Sequence, residues 1–149
     1  MDDEGPPLGE APPSDELVDT AGSSVRIGGP GKPQFLLFVS PGCGVCEQVL
    51  PSVPVVAAAG HLQPYVLTDM DEDETRLAYA HKRVGAPVLS ARFLVQRWDI
   101  PGTPYVIVLD EVGVIRAKGT VNNLEQMEGL VDSAARRMAE AKERHLEDA

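Results

Sequence analysis

"FVSPGCGVCEQVLP", residues 38–51, holds both cysteines of the chain, Cys43 and Cys46. A short apolar run, residues 34–39, leads into the pair, and residues able to form a helix follow it. Two cysteines at this spacing occur in metal sites, structural disulfides and redox pairs. The first question about the sequence is therefore which of these three chemistries the pair serves.

Composition and charge restrict the class of protein. The chain has 149 residues, 43% of them hydrophobic, which fits one globular domain with its own core. A net charge of −10 argues against a nucleic-acid groove, which needs clustered Lys and Arg. Apolar runs of about 18 residues and the pattern of a signal peptide are both lacking. Taken literally, the sequence predicts a soluble cytosolic protein or a soluble piece of an anchored parent.

We predict three regions along the chain. Residues 1–15 are rich in Pro, Asp and Glu without apolar periodicity, which indicates a flexible acidic arm. Residues 16–138 form the folded domain and begin with a small hairpin at about 16–28. Residues 139–149 are predicted to fray, because the apolar face of the last helix ends at Met138.

Strands and helices alternate in the predicted domain. Strands are expected at residues 34–39, 63–69, 104–110 and 114–121. Helices are expected after the cysteines, over 71–84, over 90–98, and from Asn122 or Asn123 to Met138. A β-α-β start makes a parallel pair, and the later hairpin adds antiparallel strands. The predicted fold is therefore α/β, with a mixed central sheet and helices on both faces.

The position of the cysteines favours redox chemistry. Backbone N–H groups at a helix start should stabilise a thiolate on Cys43 and lower its pKa from about 8.5 toward about 3.5–7.5. The spacing puts both sulfurs on one side of the first turn, within reach of a disulfide. We predict that Cys43 is the exposed nucleophile and Cys46 the buried resolving thiol.

The two alternative chemistries have less support. A tetrahedral zinc site needs four ligands, and only His61, His81 and His145 could join the two sulfurs. These histidines lie in different predicted elements, so we expect neither a metal nor a cofactor. A purely structural disulfide across so small a loop would stabilise the fold little.

"FLLFVSPGCGVCEQVLP", residues 35–51, and "IPGTPYVIVLDEVGVIRAKG", residues 100–119, resemble the thioredoxin superfamily. The resemblance rests on the Cys-x-x-Cys at a helix start, on Pro51 and on the Gly-Thr-Pro segment. It implies a thioredoxin-like fold and a protein that reduces, forms or isomerises disulfides in a client protein. It also implies that Pro104 is a cis-proline packed against the redox pair, and that the backbone of Thr103 binds the client's extended chain.

Within the superfamily, "SPGCGVC" and "RAKGTVN" resemble the MauD-type accessory proteins of methylamine dehydrogenase maturation, over about residues 5–135. This resemblance implies a client among the subunits of such a quinoprotein, with cysteines or disulfides, and an upstream electron donor or acceptor. It implies a membrane helix upstream of residue 5, absent from this sequence. If a parent protein carries that anchor, the domain lies in the periplasm or at the outer face of the membrane. We expect a monomer, and the direction of electron flow stays open.

The sequence departs from thioredoxin at the position of its buried acid, where Leu37 stands. Glu47 is a candidate for the missing proton transfer if its side chain turns inward. The alternative for Glu47 is a solvated glutamate in the first turn of a helix.

Two other functions remain open at this point. One is a non-catalytic assembly chaperone that binds its client through the Thr103-Pro104 surface. The other is a peroxidase of the peroxiredoxin type, because Ser40-x-x-Cys43 resembles that family's hydroxyl-before-cysteine pattern. Leu36 argues against the peroxidase, since that family's motif has proline there.

Overall fold

A five-stranded mixed sheet forms the centre of the computed structural model, which describes residues 4–148. The strands are β1 Asp15–Val18, β2 Ser24–Ile27, β3 Gln34–Val39, β4 Gln63–Thr68, β5 Val88–Ser90, β6 Tyr105–Leu109 and β7 Ile115–Thr120. The helices are α1 Gly44–Val49, α2 Val53–Ala59, α3 Glu72–Tyr79, α4 Arg92–Arg97 and α5 Leu124–Asp148. The sheet order is β5-β4-β3-β6-β7, with β3, β4 and β5 parallel and with β6 antiparallel to both β3 and β7.

β3 reads as an unbroken apolar run because it is buried on both faces. Phe35, Leu37 and Val39 face one core, which α1, α2 and α5 cover. Leu36 and Phe38 face a second core, which α4 and the β1–β2 hairpin cover. Side chains alternate between the two sides of a strand, so both faces of this strand require apolar residues. The predicted α/β fold with helices on both faces is confirmed, as is the N-terminal hairpin.

The direction of the strands decides where the cysteines lie. β3, β4 and β5 are parallel, so their carboxyl ends at Val39, Thr68 and Ser90 share one edge of the sheet. We call this the carboxyl-terminal edge. β6 runs the other way and begins at this edge, where Tyr105 pairs with Phe38. The segment after β3 and the loop before β6 are therefore neighbours, although they are far apart in sequence.

Residues 4–14 differ from the predicted flexible arm. They form no helix or strand, but they lie along the outer edge of β7. The Gly9 N–H donates to the Ile115 carbonyl and the Ile115 N–H donates to the Glu10 carbonyl, both at 2.9 Å. Lys118 Nζ donates to the Glu4 carbonyl at 2.7 Å. These bonds use backbone groups that an edge strand leaves free, so the residue types in the sequence do not predict them. The rest of the predicted arm, residues 1–3, lies outside the described residues.

Three further boundaries differ from those predicted. α5 continues to Asp148 instead of fraying from residue 139, because Ala, Glu, Lys and Arg in this stretch are strong helix formers. β5 was not expected, since three residues are too few to show a periodicity. α3 ends at Tyr79, because the chain turns there to bury Val84 in the core. Within residues 4–148, no helix is long and apolar enough to cross a membrane.

Candidate active site

Cys43 and Cys46 form a disulfide at the start of α1, with their Cα atoms 5.2 Å apart. Cys43 immediately precedes the helix and has an extended backbone, with φ −91° and ψ 103°. Its Sγ accepts a hydrogen bond from the Cys46 N–H at 3.1 Å. When the disulfide is reduced, this donor is already placed to stabilise a negative charge on the Cys43 sulfur.

The two sulfurs differ in access to solvent. Cys46 is 2% exposed and belongs to the core that α1, α2 and α5 cover. Cys43 is half-buried, between the exposed Gly42 and Gly44. A second thiol or disulfide can therefore reach Cys43 but not Cys46, and this is the asymmetry that the predicted roles require.

The loop before β6 lies directly against the disulfide. The Thr103–Pro104 peptide bond is cis. The Thr103 carbonyl oxygen lies 3.9 Å from Cys43 Sγ. The hydroxyls of Ser40 and Thr103 hydrogen-bond to each other at 2.5 Å, which ties the loop to the end of β3. The structure thus brings Thr103 and Pro104 together with the cysteines.

Glu47 does not turn inward. Its side chain is 54% exposed and forms an ion pair with Lys82, in the turn after α3. Leu37, at the position of thioredoxin's buried acid, is fully buried and shares a core with Cys46. The surroundings of the inner sulfur are therefore apolar, and the structure favours the solvated alternative for Glu47 over proton transfer.

The three histidines do not gather around the cysteines. His61 follows α2, His81 follows α3 and His145 lies near the end of α5, all exposed. Among residues 4–148, no three His, Cys, Asp or Glu side chains are grouped so as to hold a metal ion.

Sequence reasoning missed the two neighbours of Glu47. Lys82 Nζ lies 5.2 Å from the centre of the Tyr79 ring, over its face. Burial raises the pKa of Tyr79, and the nearby carboxylates of Glu47 and Asp69 raise it further. Only the spacing of three residues between Tyr79 and Lys82 hinted at this contact. The ion pair joins residues 35 positions apart and depends on how α3 packs.

Comparison with known proteins agrees with the fold. Residues 23–135 match the family model of the thioredoxin-like domain. A thio-disulfide isomerase from Thermus thermophilus superposes with a TM-score of 0.69 at 21% identity, covering 87% of this chain and 96% of that one. The thioredoxin domain of a thiol-disulfide oxidoreductase from Bacteroides vulgatus gives 0.68 at 20% identity, covering 84% and 95%. The fold and the site together define a thiol–disulfide oxidoreductase of the thioredoxin-like class.

Curated sequences narrow the class further. Methylamine utilization protein MauD of Methylorubrum extorquens is 35% identical over 136 residues, which are 88% of this chain and 66% of that protein. MauD of Paracoccus denitrificans is 31% identical over 135 residues, which are 88% of this chain and 68% of that protein. The chain belongs to the MauD family. It spans about two thirds of the length of these relatives.

Proposed function

We propose that this chain exchanges thiols and disulfides with a client protein, using Cys43 to attack, Cys46 to resolve, and Thr103 and Pro104 to dock the client. One observation carries the proposal: of the two bonded sulfurs only that of Cys43 is accessible, and it faces the Thr103 carbonyl. A sulfur that must accept a client and then release it needs this combination of access and adjacent docking surface.

In the reductive direction, the Cys43 thiolate attacks one sulfur of a client disulfide, and the other client sulfur leaves as a thiolate. The product is a mixed disulfide between Cys43 and the client. The Cys46 thiolate then attacks Cys43 Sγ, which releases the first client sulfur and closes the Cys43–Cys46 bond. Two electrons pass from the cysteine pair to the client, and the protons lost by the pair balance those gained by the client thiolates. The reverse steps oxidise a client dithiol.

Docking uses the backbone of the loop before β6. In the described part of the chain, the N–H and carbonyl of Thr103 have no backbone hydrogen-bond partner. Thr103 is half-buried and the preceding Pro101 and Gly102 are exposed. An extended client segment pairing with Thr103 would carry its own sulfur past Cys43, and this mode of binding needs no basic patch.

The client that we propose is a disulfide-bearing subunit of a methylamine dehydrogenase-like quinoprotein, matured outside the cytoplasm. The similarity to the methylamine utilization proteins supports this choice. An upstream donor or acceptor must return the cysteine pair to its starting state. A reduction potential near about −270 mV would identify a reductase, and one near about −120 mV an oxidant.

Loss of either cysteine should abolish catalysis, but only one of the two variants should accumulate a mixed disulfide with the client. We expect Cys43→Ser and Cys46→Ser each to lose insulin reduction and the refolding of scrambled ribonuclease. Cys46→Ser should accumulate a mixed disulfide with a client peptide, because nothing resolves it. Cys43→Ser should accumulate none. Equal activity of the wild type and both variants would contradict the proposal.

A non-catalytic client-binding role remains a second candidate, because the Ser40–Thr103 hydrogen bond holds the docking loop without using either sulfur. A pull-down with the Cys43→Ser, Cys46→Ser double variant separates the two roles. Client capture at wild-type strength, combined with inactive wild-type protein, would favour the binding role. The peroxidase alternative gains no support, since the Ser40 hydroxyl is bonded to Thr103.

A further inference from the structure

We propose that Lys82 is a positioning residue for Cys43: it holds the Glu47 carboxylate in an ion pair against the Tyr79 ring and so limits the negative charge that opposes the Cys43 thiolate. We refer to Glu47, Lys82 and Tyr79 as the charge clamp. The inference rests on the proposed function, which makes Cys43 the attacking sulfur.

The first step of the argument is the geometry of α1. The Glu47 N–H donates to the Cys43 carbonyl at 3.3 Å, so the two residues are one helical turn apart. Cys43 caps α1 with an extended backbone and Glu47 lies in the first turn of the helix, so the two residues are separated by one helical pitch, about 5.4 Å. A free carboxylate on Glu47 would therefore place a negative charge near the sulfur that must become a thiolate. A neighbouring like charge disfavours ionisation.

The second step is the capture of that carboxylate. Lys82 comes from a different part of the chain, the turn after α3, and its ammonium pairs with Glu47 Oε1. The same ammonium lies over the Tyr79 ring, 5.2 Å from its centre, in a cation–π contact. Two contacts thus fix Lys82, and through it the direction of the Glu47 side chain.

The third step is the packing of the Tyr79 ring, which places the charge clamp next to the cysteines. The Tyr79 ring is half-buried and packs against the core that contains Cys46 and adjoins Cys43. Burial first, and then the carboxylates of Glu47 and Asp69, raise the pKa of Tyr79, so its ring stays uncharged at neutral pH. The loop before β6 adds no charge near Cys43, since residues 101–104 contain no titratable side chain.

The interior offers no substitute for the clamp. Leu37 occupies the position of thioredoxin's buried acid. Among the described residues, Asp110 is the buried carboxylate, and it lies at the turn between β6 and β7. Together with the Cys46 N–H that donates to Cys43 Sγ, the surface charge beside α1 therefore influences how readily Cys43 ionises.

The test is the pH dependence of iodoacetamide alkylation of Cys43 in the reduced protein, followed by mass spectrometry. We expect Lys82→Gln to move the profile to higher pH and to slow alkylation at neutral pH by about twofold to fourfold. Glu47→Gln should move it to lower pH. If Lys82 acts through Glu47, Lys82→Gln should cause little further change in the Glu47→Gln background. Equal shifts in both backgrounds, or no shift in either, would overturn the proposal.

Matched variants separate the clamp from general charge effects. Tyr79→Phe keeps the ring face and should behave like the wild type, whereas Tyr79→Leu should behave like Lys82→Gln. Lys32→Gln removes an exposed lysine before β3, at the opposite edge of the sheet, and should leave the profile unchanged. A Lys32→Gln shift as large as that of Lys82→Gln would count against the clamp.

The alkylation measurement needs no client, so it can contradict the charge clamp without contradicting the proposed function, and the reverse also holds. Inactivity of the wild type in insulin reduction would contradict disulfide exchange while the alkylation profiles still test the clamp. Alkylation of Cys46 ahead of Cys43 would contradict the assignment of the attacking sulfur itself. Both partners of the ion pair are more than one third exposed, so these substitutions are not expected to unfold the protein.

Discussion

Gly42 and Gly44 flank Cys43, but only one of them needs to be glycine. Gly42 has a φ of +75°, a left-handed conformation that other residues adopt at a cost of about 1–2 kcal/mol. Gly44 has no such φ, and an added Cβ would meet no atom within 4 Å at either position. We therefore expect Gly42→Ala to lower the free energy of unfolding by about 1 kcal/mol, and Gly44→Ala to leave it unchanged or slightly raised.

Urea unfolding followed by the fluorescence of Trp98, the single tryptophan, measures both variants. The pair controls for the loss of glycine itself, since both sites are exposed and adjoin Cys43. An equal cost at the two positions would show that backbone conformation is not the cause.

The Ser40–Thr103 hydrogen bond makes a second prediction at the scale of single residues. Ser40→Ala should leave the alkylation of Cys43 unchanged, because its hydroxyl contacts the docking loop and not the sulfur. It should raise the apparent KM for a client about twofold to tenfold, the equivalent of one lost hydrogen bond. Thr103→Val should do the same, and Thr103→Ser should restore the wild-type value. A change in kcat alone, with KM unaffected, would contradict this role.

The cysteine pair could be predicted from sequence, but its electrostatic neighbours could not. Cys43 and Cys46 are three positions apart at the start of a helix, so their spacing and position pointed to redox chemistry without any long-range contact. Thr103 and Pro104 needed the resemblance to a family, because the loop reaches the cysteines only through the antiparallel pairing of β6 with β3. Lys82 reaches Glu47 only because α3 ends at Tyr79 and the chain then turns. No local pattern in the sequence predicts this end of the helix.

The predicted bounds were correct for strands whose buried residues form a recognisable apolar pattern in the sequence. β3 matches its prediction at both ends, and β4, β6 and β7 each lie within theirs, because each contributes to the cores on both faces of the sheet. β5 was missed because three residues are too few to show a pattern, although Val88 and Leu89 enter the two cores. Residues 4–14 were misjudged, since backbone hydrogen bonds at a sheet edge hold them. The end of α5 depends on helix propensity, and an argument from its apolar face alone misplaced it.

The turn between β6 and β7 is held by one buried carboxylate, Asp110. Its Oδ1 accepts the N–H groups of Val112 and Val114 at 2.9 and 3.0 Å, and its Oδ2 accepts Arg116 Nε at 2.8 Å. Asp110→Ala leaves three donors without this partner and should lower the free energy of unfolding by about 2–4 kcal/mol.

The neighbouring residue supplies the control for Asp110. Glu111 is exposed, and Glu111→Ala should change the stability by less than about 0.5 kcal/mol. Urea midpoints of the two variants decide the matter. If Asp110→Ala proved as mild as Glu111→Ala, the hairpin would not depend on this carboxylate.

At the scale of the whole molecule, all three tyrosines should oppose folding at high pH. Burial raises the pKa of Tyr65, of Tyr79 and of Tyr105 above the ordinary value of 10, and nearby carboxylates add to the rise for the last two. A group whose pKa is higher in the folded state than in the unfolded state favours folding below the unfolded-state value, and this contribution is lost as the pH rises through the folded-state value. Stability should therefore fall above about pH 10.

Phenolate absorbance separates this effect from the titration of lysines. The native protein should ionise its tyrosines at higher pH than the same protein in urea. Tyr79→Phe should remove one of the late-titrating groups without altering the others. Coincident native and denatured curves would contradict the burial argument.

The two ends of the described chain leave the molecule on opposite sides. Glu4 lies beside Lys118 and Tyr105, next to the loop before β6, whereas the last turns of α5 lie beside Pro33 and Val112, at the far edge of the sheet. A fluorophore, purification tag or surface linker attached before residue 4 would start beside Tyr105, at the same edge of the sheet as the disulfide. The same attachment after α5 would point the disulfide away from the support, which makes the carboxyl end the better handle for immobilising this protein.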